Sequence, residues 1–384
     1  MKIVCDNKIP FLRGVLEPYA EVVYLPGKET TPEVVKDADA LITRTRTICD
    51  AHLLKGSSVK VIATATIGFD HIDTGWCESA GIVWRNAPGC NSWSVKQYIS
   101  SVLVRLAEKH SLRLGGMTLG VVGVGNVGSK VAAAARALGM NVLLNDPPRE
   151  RKEGRGEFVS LDRIISDSDI VTVHVPLSDE GEDATRHLFD ADRIASMSPS
   201  QILINSSRGP VVDNVALKEA LLSGRLLGGV LDVWEGEPNL DRALIDALDI
   251  ATPHIAGYSA DGKANGTAAS VRTVAEVLGL PLTDWSPAGI PAPAQALDFS
   301  IDAGHKRASE VLAEAVLHTY DVLEDDAALR GDPSRFESLR GDYPVRREPS
   351  AFHLTLVDGT ADEAERLSQL GFNVTATNKS HQSI

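Results

Sequence analysis

Three side chains of contrasting type stand just past apolar runs: Arg208 after "QILINSS", Glu237 after "VLDVWEG" and His254 after "IATP". Together they suit the oxidation of a 2-hydroxy acid at C2. The substrate carboxylate needs a fixed cation, and a guanidinium offers a planar fork that binds it bidentately. The hydroxyl proton needs an acceptor as hydride leaves, and imidazole titrates close to neutrality. A carboxylate behind the ring orients it and raises its basicity. Glu235 competes with Glu237 for that role on spacing alone. Gly209-Pro210, Pro238 and Pro253 stiffen the backbone beside the three.

The hydride needs an acceptor, and the sequence supplies a place for one. Gly123, Gly125 and Gly128 form G-x-G-x-x-G, with Asn126 and Val127 inside the motif. The strand-like run "TLGVV" precedes it and an Ala-rich helical stretch follows, the setting in which a dinucleotide pyrophosphate meets a helix N-terminus. The next strand, "NVLLND", ends at Asp146, eighteen positions after Gly128. A carboxylate there accepts ribose hydroxyls and repels a 2′-phosphate, which favours NAD over NADP. Arg149 and Arg151 nearby could oppose that preference.

The elements that must carry these residues alternate. "KIVCD", "EVVYL", "ADALITR", "VKVIATAT" and "GIVWRN" are short apolar runs separated by helical patches, the pattern of a parallel α/β sheet. A second series starts at the glycine motif and continues through "DIVTVHVP", "ILINSS", "LLGGVLDV" and "DIATPHIAG". Residues 94–114 read as a long helix between the two series, and "ASVRTVAEVLG" as a helix returning to the first. "WSPAGIPAPAQ" is a semi-rigid linker. Beyond it come the strand "ALDFSID", one helix "ASEVLAEAVLHTYDVLEDDAAL", the strand "FHLTLVD", the helix "ADEAERLSQL" and the strand "NVTAT". The expected fold is therefore two doubly wound parallel-sheet domains (Rossmann-like or flavodoxin-like) and a small C-terminal α+β domain. The boundaries are 1–93 with 257–285 for the substrate domain, 94–256 for the dinucleotide domain and 286–384 for the tail.

Bulk properties narrow the classes. With 384 residues, 43% hydrophobic and 23% charged, the chain can bury sizeable cores. A net charge of −14 argues against coating a nucleic acid, which needs a positive surface. No apolar stretch approaches the roughly 18–20 residues of a membrane span. The start, "MKIVCDNKIP", has no signal-peptide character, and the four cysteines lack disulfide or metal spacing. A cytoplasmic protein with free thiols and no metal is expected.

The strings "GVVGVGNVGSKVA", "HVPL", "LINSSRGPVVD", "DVWEGEP" and "TPHIAG", in this order, resemble the D-2-hydroxyacid dehydrogenase family over roughly residues 1–280. The resemblance implies that Arg208, Glu237 and His254 are catalytic, and it selects Glu237, the glutamate before proline, over Glu235. It implies that Asp232 holds the nicotinamide carboxamide. It also places Val175, Pro176, Ser206, Ser207 and Gly257 around NAD.

Substrate choice rests on other residues. In "LITRTRT", Arg44 and Arg46 occupy alternate positions of a strand end, so both would face one side and could meet a phosphate. "ATATIGFDHID" resembles the family turn whose N–H groups meet the substrate carboxylate, with Thr66 and Gly68 at its centre; Thr45 and Tyr258 are further lining candidates. "NAPGCNSWSVKQYISS", "PHIAGYS" and the tail beyond residue 285 resemble the branch of the family that oxidises 4-phospho-D-erythronate in pyridoxal phosphate synthesis. That branch implies a homodimer through the C-terminal domain. Arg346 and Arg347 could then reach the partner's phosphate pocket, or form surface ion pairs. The alternatives are a phosphoglycerate dehydrogenase, a dehydrogenase of a smaller hydroxy acid, or a non-enzymatic NAD-sensing co-repressor.

Overall fold

A computed structural model describes residues 1–378 and divides the chain into two compact units. The first comprises Met1–Asn91 and Ser259–Pro291. Its apolar runs form β1 (Lys2–Asp6), β2 (Glu21–Leu25), β3 (Ala40–Thr43), β4 (Val61–Thr64) and β5 (Val83–Arg85). All pair in parallel in the order β2-β1-β3-β4-β5, the flavodoxin-like arrangement. β3 and β4 are buried at every position, as strands covered on both faces must be. The helix Ala260–Leu278 returns to this unit, and Val271, Val274 and Ala275 join its core with Ile3, Ile42 and Ala63. Ser259 caps that helix by accepting the Gly262 N–H at 2.8 Å. A Cβ on Gly266 would lie 2.5 Å from the Ala65 carbonyl oxygen, so glycine permits the close approach to the end of β4.

The second unit comprises Ser92–Tyr258 and the chain from Ala292. Its large sheet contains β6 (Thr118–Val122), β7 (Asn141–Asn145), β8 (Ile170–Val173), β9 (Ile202–Asn205), β10 (Gly228–Leu231) and β11 (Ile250–Ala251). The order is β11-β10-β9-β8-β6-β7, all parallel. A single parallel bridge from Leu144 to Phe158 lies where the dinucleotide fold has a further strand beside β7. That strand has shrunk to one residue. Because every strand runs the same way, the loops after β6 to β11 emerge along one edge, with the reversal of strand order between β6 and β8.

The tail packs into this second unit. β12 (Asp298–Asp302), β13 (His353–Val357) and β14 (Asn373–Thr377) form a parallel sheet in chain order, so strands and helices alternate here instead of segregating. Its Ile301, Leu312, Val316, Leu354, Leu356 and Leu367 share one core with Tyr98, Val102 and Leu106 of the helix Ser92–Lys109. Ser94 donates to Glu348 at 3.0 Å and Gln97 to Thr319 at 3.2 Å. The single tail helix expected from periodicity is two, Ala308–Thr319 and Val322–Gly331. Tyr320 is extended between them, and Asp321 caps the second by accepting the Leu323 N–H at 3.1 Å while pairing with Arg105. Among the described residues no helix is long and apolar enough to cross a membrane. The four cysteines are free thiols, three of them buried.

Candidate active site

β11 ends at Ala251, and Thr252-Pro253 carry His254 to the C-terminal edge of the large sheet. His254 Nδ1 lies 2.9 Å from Glu237 Oε2 and 3.1 Å from Oε1. Glu237 Oε1 also accepts the Trp234 N–H at 2.9 Å. Burial pushes the Glu237 carboxyl up, but the hydrogen bond and charge of His254, the Trp234 N–H and the Arg340 guanidinium outweigh it and hold it below the ordinary glutamate value. An ionised Glu237 fixes the proton on Nδ1 and leaves Nε2 as the basic nitrogen. Glu235 is used elsewhere. It meets His187 Nε2 at 2.8 Å and accepts the Asn214 N–H at 2.9 Å, which ties down a neighbouring loop.

His254 has φ +57°, a left-handed backbone that few non-glycine residues adopt. Such a conformation costs of order 1–3 kcal/mol and persists where its surroundings dictate it. Asp232, 1% exposed just past β10, does much of that. Its Oδ1 accepts the Ile255 N–H at 2.8 Å and the Thr252 hydroxyl at 2.7 Å, and its Oδ2 accepts the Ala256 N–H at 2.9 Å. The Tyr98 hydroxyl lies 2.8 Å from Thr252 Oγ1 and extends the chain into the core.

Arg208 follows β9, whose last residue shapes the turn. Asn205 Nδ2 donates to the Arg208 carbonyl at 2.8 Å, and Asn205 Oδ1 accepts the Ser207 N–H at 3.0 Å and its hydroxyl at 2.9 Å. The Arg208 guanidinium donates to the Ser207 carbonyl at 2.9 Å and is half-buried. A Cβ on Gly209 would sit 2.0 Å from the Trp234 carbonyl oxygen. Only glycine lets the Arg208 turn close against the Glu237 loop. β9, β10 and β11 are adjacent, so the loops bearing Arg208, Glu237 and His254 emerge side by side.

The loop after β6 fits a dinucleotide. Gly123 has φ +85°, and a Cβ there would lie 2.7 Å from the His174 carbonyl oxygen. A Cβ on Gly128 would lie 1.9 Å from the Gly123 carbonyl oxygen, while one on Gly125 would meet nothing within 4 Å. Two glycines thus close the turn, and the middle one leaves open backbone where a pyrophosphate approaches the helix Gly128–Ala137. Asp146, at the end of β7, accepts the Val124 N–H at 2.8 Å and the Arg149 N–H at 3.0 Å. Arg149 binds the Val124 carbonyl at 2.6 Å and Glu153, and Arg151 pairs with Asp183 and Glu182. Both arginines are engaged by this chain's own acceptors, which removes the main objection to NAD. Ser206 Oγ and His174 Nδ1 are buried without hydrogen-bond partners beside this loop system, as donors or acceptors awaiting a ligand would be. Burial pushes the His174 imidazole down to about 3, so it stays neutral.

Comparison with known proteins decides the family. Residues 84–256 match the D-isomer specific 2-hydroxyacid dehydrogenase, NAD binding domain, and residues 294–371 match a domain family of unknown function. The erythronate-4-phosphate dehydrogenase of Bacteroides fragilis is 51% identical over 93% of this chain and 99% of its own. Those of Porphyromonas gingivalis and Citrobacter koseri are 43% and 42% identical over 97% of this chain and 100% and 98% of theirs. This chain belongs to the erythronate-4-phosphate dehydrogenase family. Among solved structures, the Aquifex aeolicus D-lactate dehydrogenase complexed with NAD and lactic acid is 28% identical, with a TM-score of 0.62 over 73% of this chain and 96% of that one. As a family member this chain is an NAD-dependent D-2-hydroxyacid dehydrogenase.

The remaining expected residues of this dehydrogenase divide between the units. Val175 and Pro176 follow β8, with Val175 Cγ1 2.8 Å from the Cβ position of Gly123. Gly257 and Tyr258 close the His254 loop, and Tyr258 packs edge-on against Tyr343 at 5.8 Å. In the first unit, Thr66 and Gly68 lie past β4 in a turn closed by the Thr66 hydroxyl donating to the Gly68 carbonyl at 2.8 Å. Two expectations fail. β3 ends at Thr43, and Arg44, Thr45 and Arg46 form a turn, so strand alternation does not align the two arginines. Arg44 is half-buried, while Thr45 and Arg46 are exposed. Arg346 is 4% exposed inside its own chain and is not on offer to a partner. No sequence signal marks Thr252, Tyr98 or Arg340, whose guanidinium lies 5.8 Å from the Tyr258 ring. Tyr98 and Arg340 meet the site across more than 80 residues of chain, and Thr252 is marked by no local pattern.

Proposed function

We propose that this chain oxidises 4-phospho-D-erythronate at C2 to 2-oxo-3-hydroxy-4-phosphobutanoate, the reaction that serves pyridoxal phosphate synthesis. The observation that carries it is the His254–Glu237 pair, held at the same sheet edge as the glycine loop. NAD, when bound, supplies the acceptor for the C2 hydride. Arg208 holds the substrate carboxylate as a fork. His254 Nε2 takes the C2 hydroxyl proton, and Glu237 stabilises the imidazolium that results. The balance is one hydride and one proton lost by the substrate for one C2 carbonyl gained. Gly123, Gly125, Asn126, Val127 and Gly128 cradle the pyrophosphate, and Asp146 takes the ribose hydroxyls. Asp232 reaches the carboxamide with acceptor capacity left over from its three donors. We further propose that Arg44 and Arg46 meet the substrate phosphate with Thr45, Thr66 and Gly68 beside them, and that Tyr258 is a substrate contact.

The assembly proposed is a homodimer through the C-terminal sheet. Ser300, Thr355 and Thr375 lie in register across β12, β13 and β14, on the face opposite the buried Ile301, Leu354 and Leu356. Sedimentation should give a dimer for the intact protein and a monomer for Thr355→Glu/Thr375→Glu.

The test of activity is NADH formation by purified protein on a panel of phosphorylated and unphosphorylated four-carbon and three-carbon 2-hydroxy acids. Turnover should be greatest with 4-phospho-D-erythronate and with NAD in place of NADP. Preference for 3-phosphoglycerate or for an unphosphorylated acid would overturn the assignment of substrate.

A further inference from the structure

The segment from residue 294 to 371 belongs to a family without an assigned role, yet it sends one side chain to the back of the His254 loop. Arg346 is almost wholly buried. Its Nη2 donates to the Ala256 carbonyl at 2.6 Å and the Ile255 carbonyl at 3.2 Å. The N–H groups of those same two residues go to Asp232, as described above. The peptides that follow His254 are therefore gripped from both sides, a carboxylate on their amides and a guanidinium on their carbonyls. The unfavourable φ of His254 is the conformation this grip imposes.

Arg346 is itself held. Its guanidinium stacks over the Tyr320 ring, 4.4 Å from the centroid, and Nη1 donates to the Tyr343 hydroxyl at 3.3 Å. The hydroxyls of Tyr343 and Tyr320 both donate to Asp325 Oδ2, each at 2.7 Å. Asp325 and Asp232 supply the negative charge that a buried guanidinium requires. Tyr320 is the residue that breaks the tail helix, so the break serves to place the ring under Arg346.

We infer that Arg346 is a positioning residue for the acid/base histidine, and that the C-terminal segment sets the imidazole for proton transfer. The inference rests on the dehydrogenase reading. Arg346 touches neither His254's ring nor Glu237; it acts on the backbone that carries the ring. Lysine at this position keeps a charge but has no planar fork to span two carbonyls.

The test compares wild type with Arg346→Lys and the milder Tyr343→Phe, and adds Arg346→Ala for chemical rescue, each purified as the full chain. In Arg346→Lys, kcat should fall about 10- to 100-fold, the range expected when a catalytic group is displaced by about 1 Å. KM for 4-phospho-D-erythronate and Kd for NADH should stay within about twofold of wild type, and the limb of the kcat/KM pH profile that reports the imidazole should move. Tyr343→Phe should show the same pattern at smaller amplitude, and free guanidinium should restore part of the kcat lost in Arg346→Ala. Amide exchange over residues 252–258, which needs no turnover, should be faster in Arg346→Lys. Unchanged kcat and exchange in both variants would overturn the inference, as would a loss of kcat that merely tracks lost NADH affinity or lost native protein. Wild type inactive on every hydroxy acid, with faster exchange in Arg346→Lys, would sink the dehydrogenase reading and leave the clamp standing.

Discussion

Two loops that deliver polar groups from the ends of parallel strands are built in opposite ways. The His254 loop in the second unit is buried and cross-braced, with Asp232 on its amides, Glu237 on its ring and Arg346 on its carbonyls. The Arg44–Arg46 turn in the first unit leaves its strand at once and exposes Thr45 and Arg46. Proton transfer tolerates little displacement, because a misplaced group loses rate steeply. Recognition of a phosphate by cations tolerates more, because charge attraction falls slowly with distance. On the proposed reading, the chemistry is fixed by the second unit and the choice of substrate by the first.

Substitutions can sharpen or break that division. His254→Asn should lower kcat by about 10²–10⁴-fold on every 2-hydroxy acid, as measured by steady-state kinetics. Arg208→Lys should lower kcat/KM by roughly 10- to 100-fold, again on all of them, since the bidentate charged contact contributes about 1.5–3 kcal/mol. Glu237→Gln should cost about 10-fold in kcat and leave KM near wild type, because an amide no longer stabilises the imidazolium. If either of the last two variants discriminated between phosphorylated and unphosphorylated acids, the second unit would be choosing substrate and the division would fail.

The smallest expected effect is on stability. An unfolded imidazole titrates near 6.5, whereas His174 resists protonation down to about 3. Across that window the unfolded chain binds more protons, so stability is full above the upper value and falls as pH drops. The slope is at most about 1.4 kcal/mol per pH unit. Urea unfolding of wild type and His174→Asn between neutral and mildly acid pH should show the difference shrinking as pH falls.

Much of this was legible in the sequence, for identifiable reasons. β1 to β5 announce themselves as apolar runs between turn residues, and the glycine loop by spacing that only a strand-turn-helix satisfies. What periodicity could not show was where a pattern stops. Arg44 and Arg46 keep an alternating pattern past Thr43, yet the backbone turns there, with Thr47 Oγ1 bound to the Gly27 carbonyl at 3.2 Å. The helical rhythm runs through Tyr320, yet Asp321 is an N-cap that starts a new helix, with Glu324 and Asp325 in its first turn. Arg346 reads in sequence as half of a surface pair, because the carbonyls it binds lie about 90 residues away and its burial is a property of the fold alone.

The most direct test of the division is the specificity ratio of Arg44→Ala, its kcat/KM on 4-phospho-D-erythronate over that on the unphosphorylated acid, set beside the same ratio for Arg208→Lys. The account predicts that Arg44→Ala collapses the ratio by losing activity only on the phosphorylated substrate, and that Arg208→Lys lowers both activities and leaves the ratio near wild type. A ratio preserved in Arg44→Ala and collapsed in Arg208→Lys would contradict it.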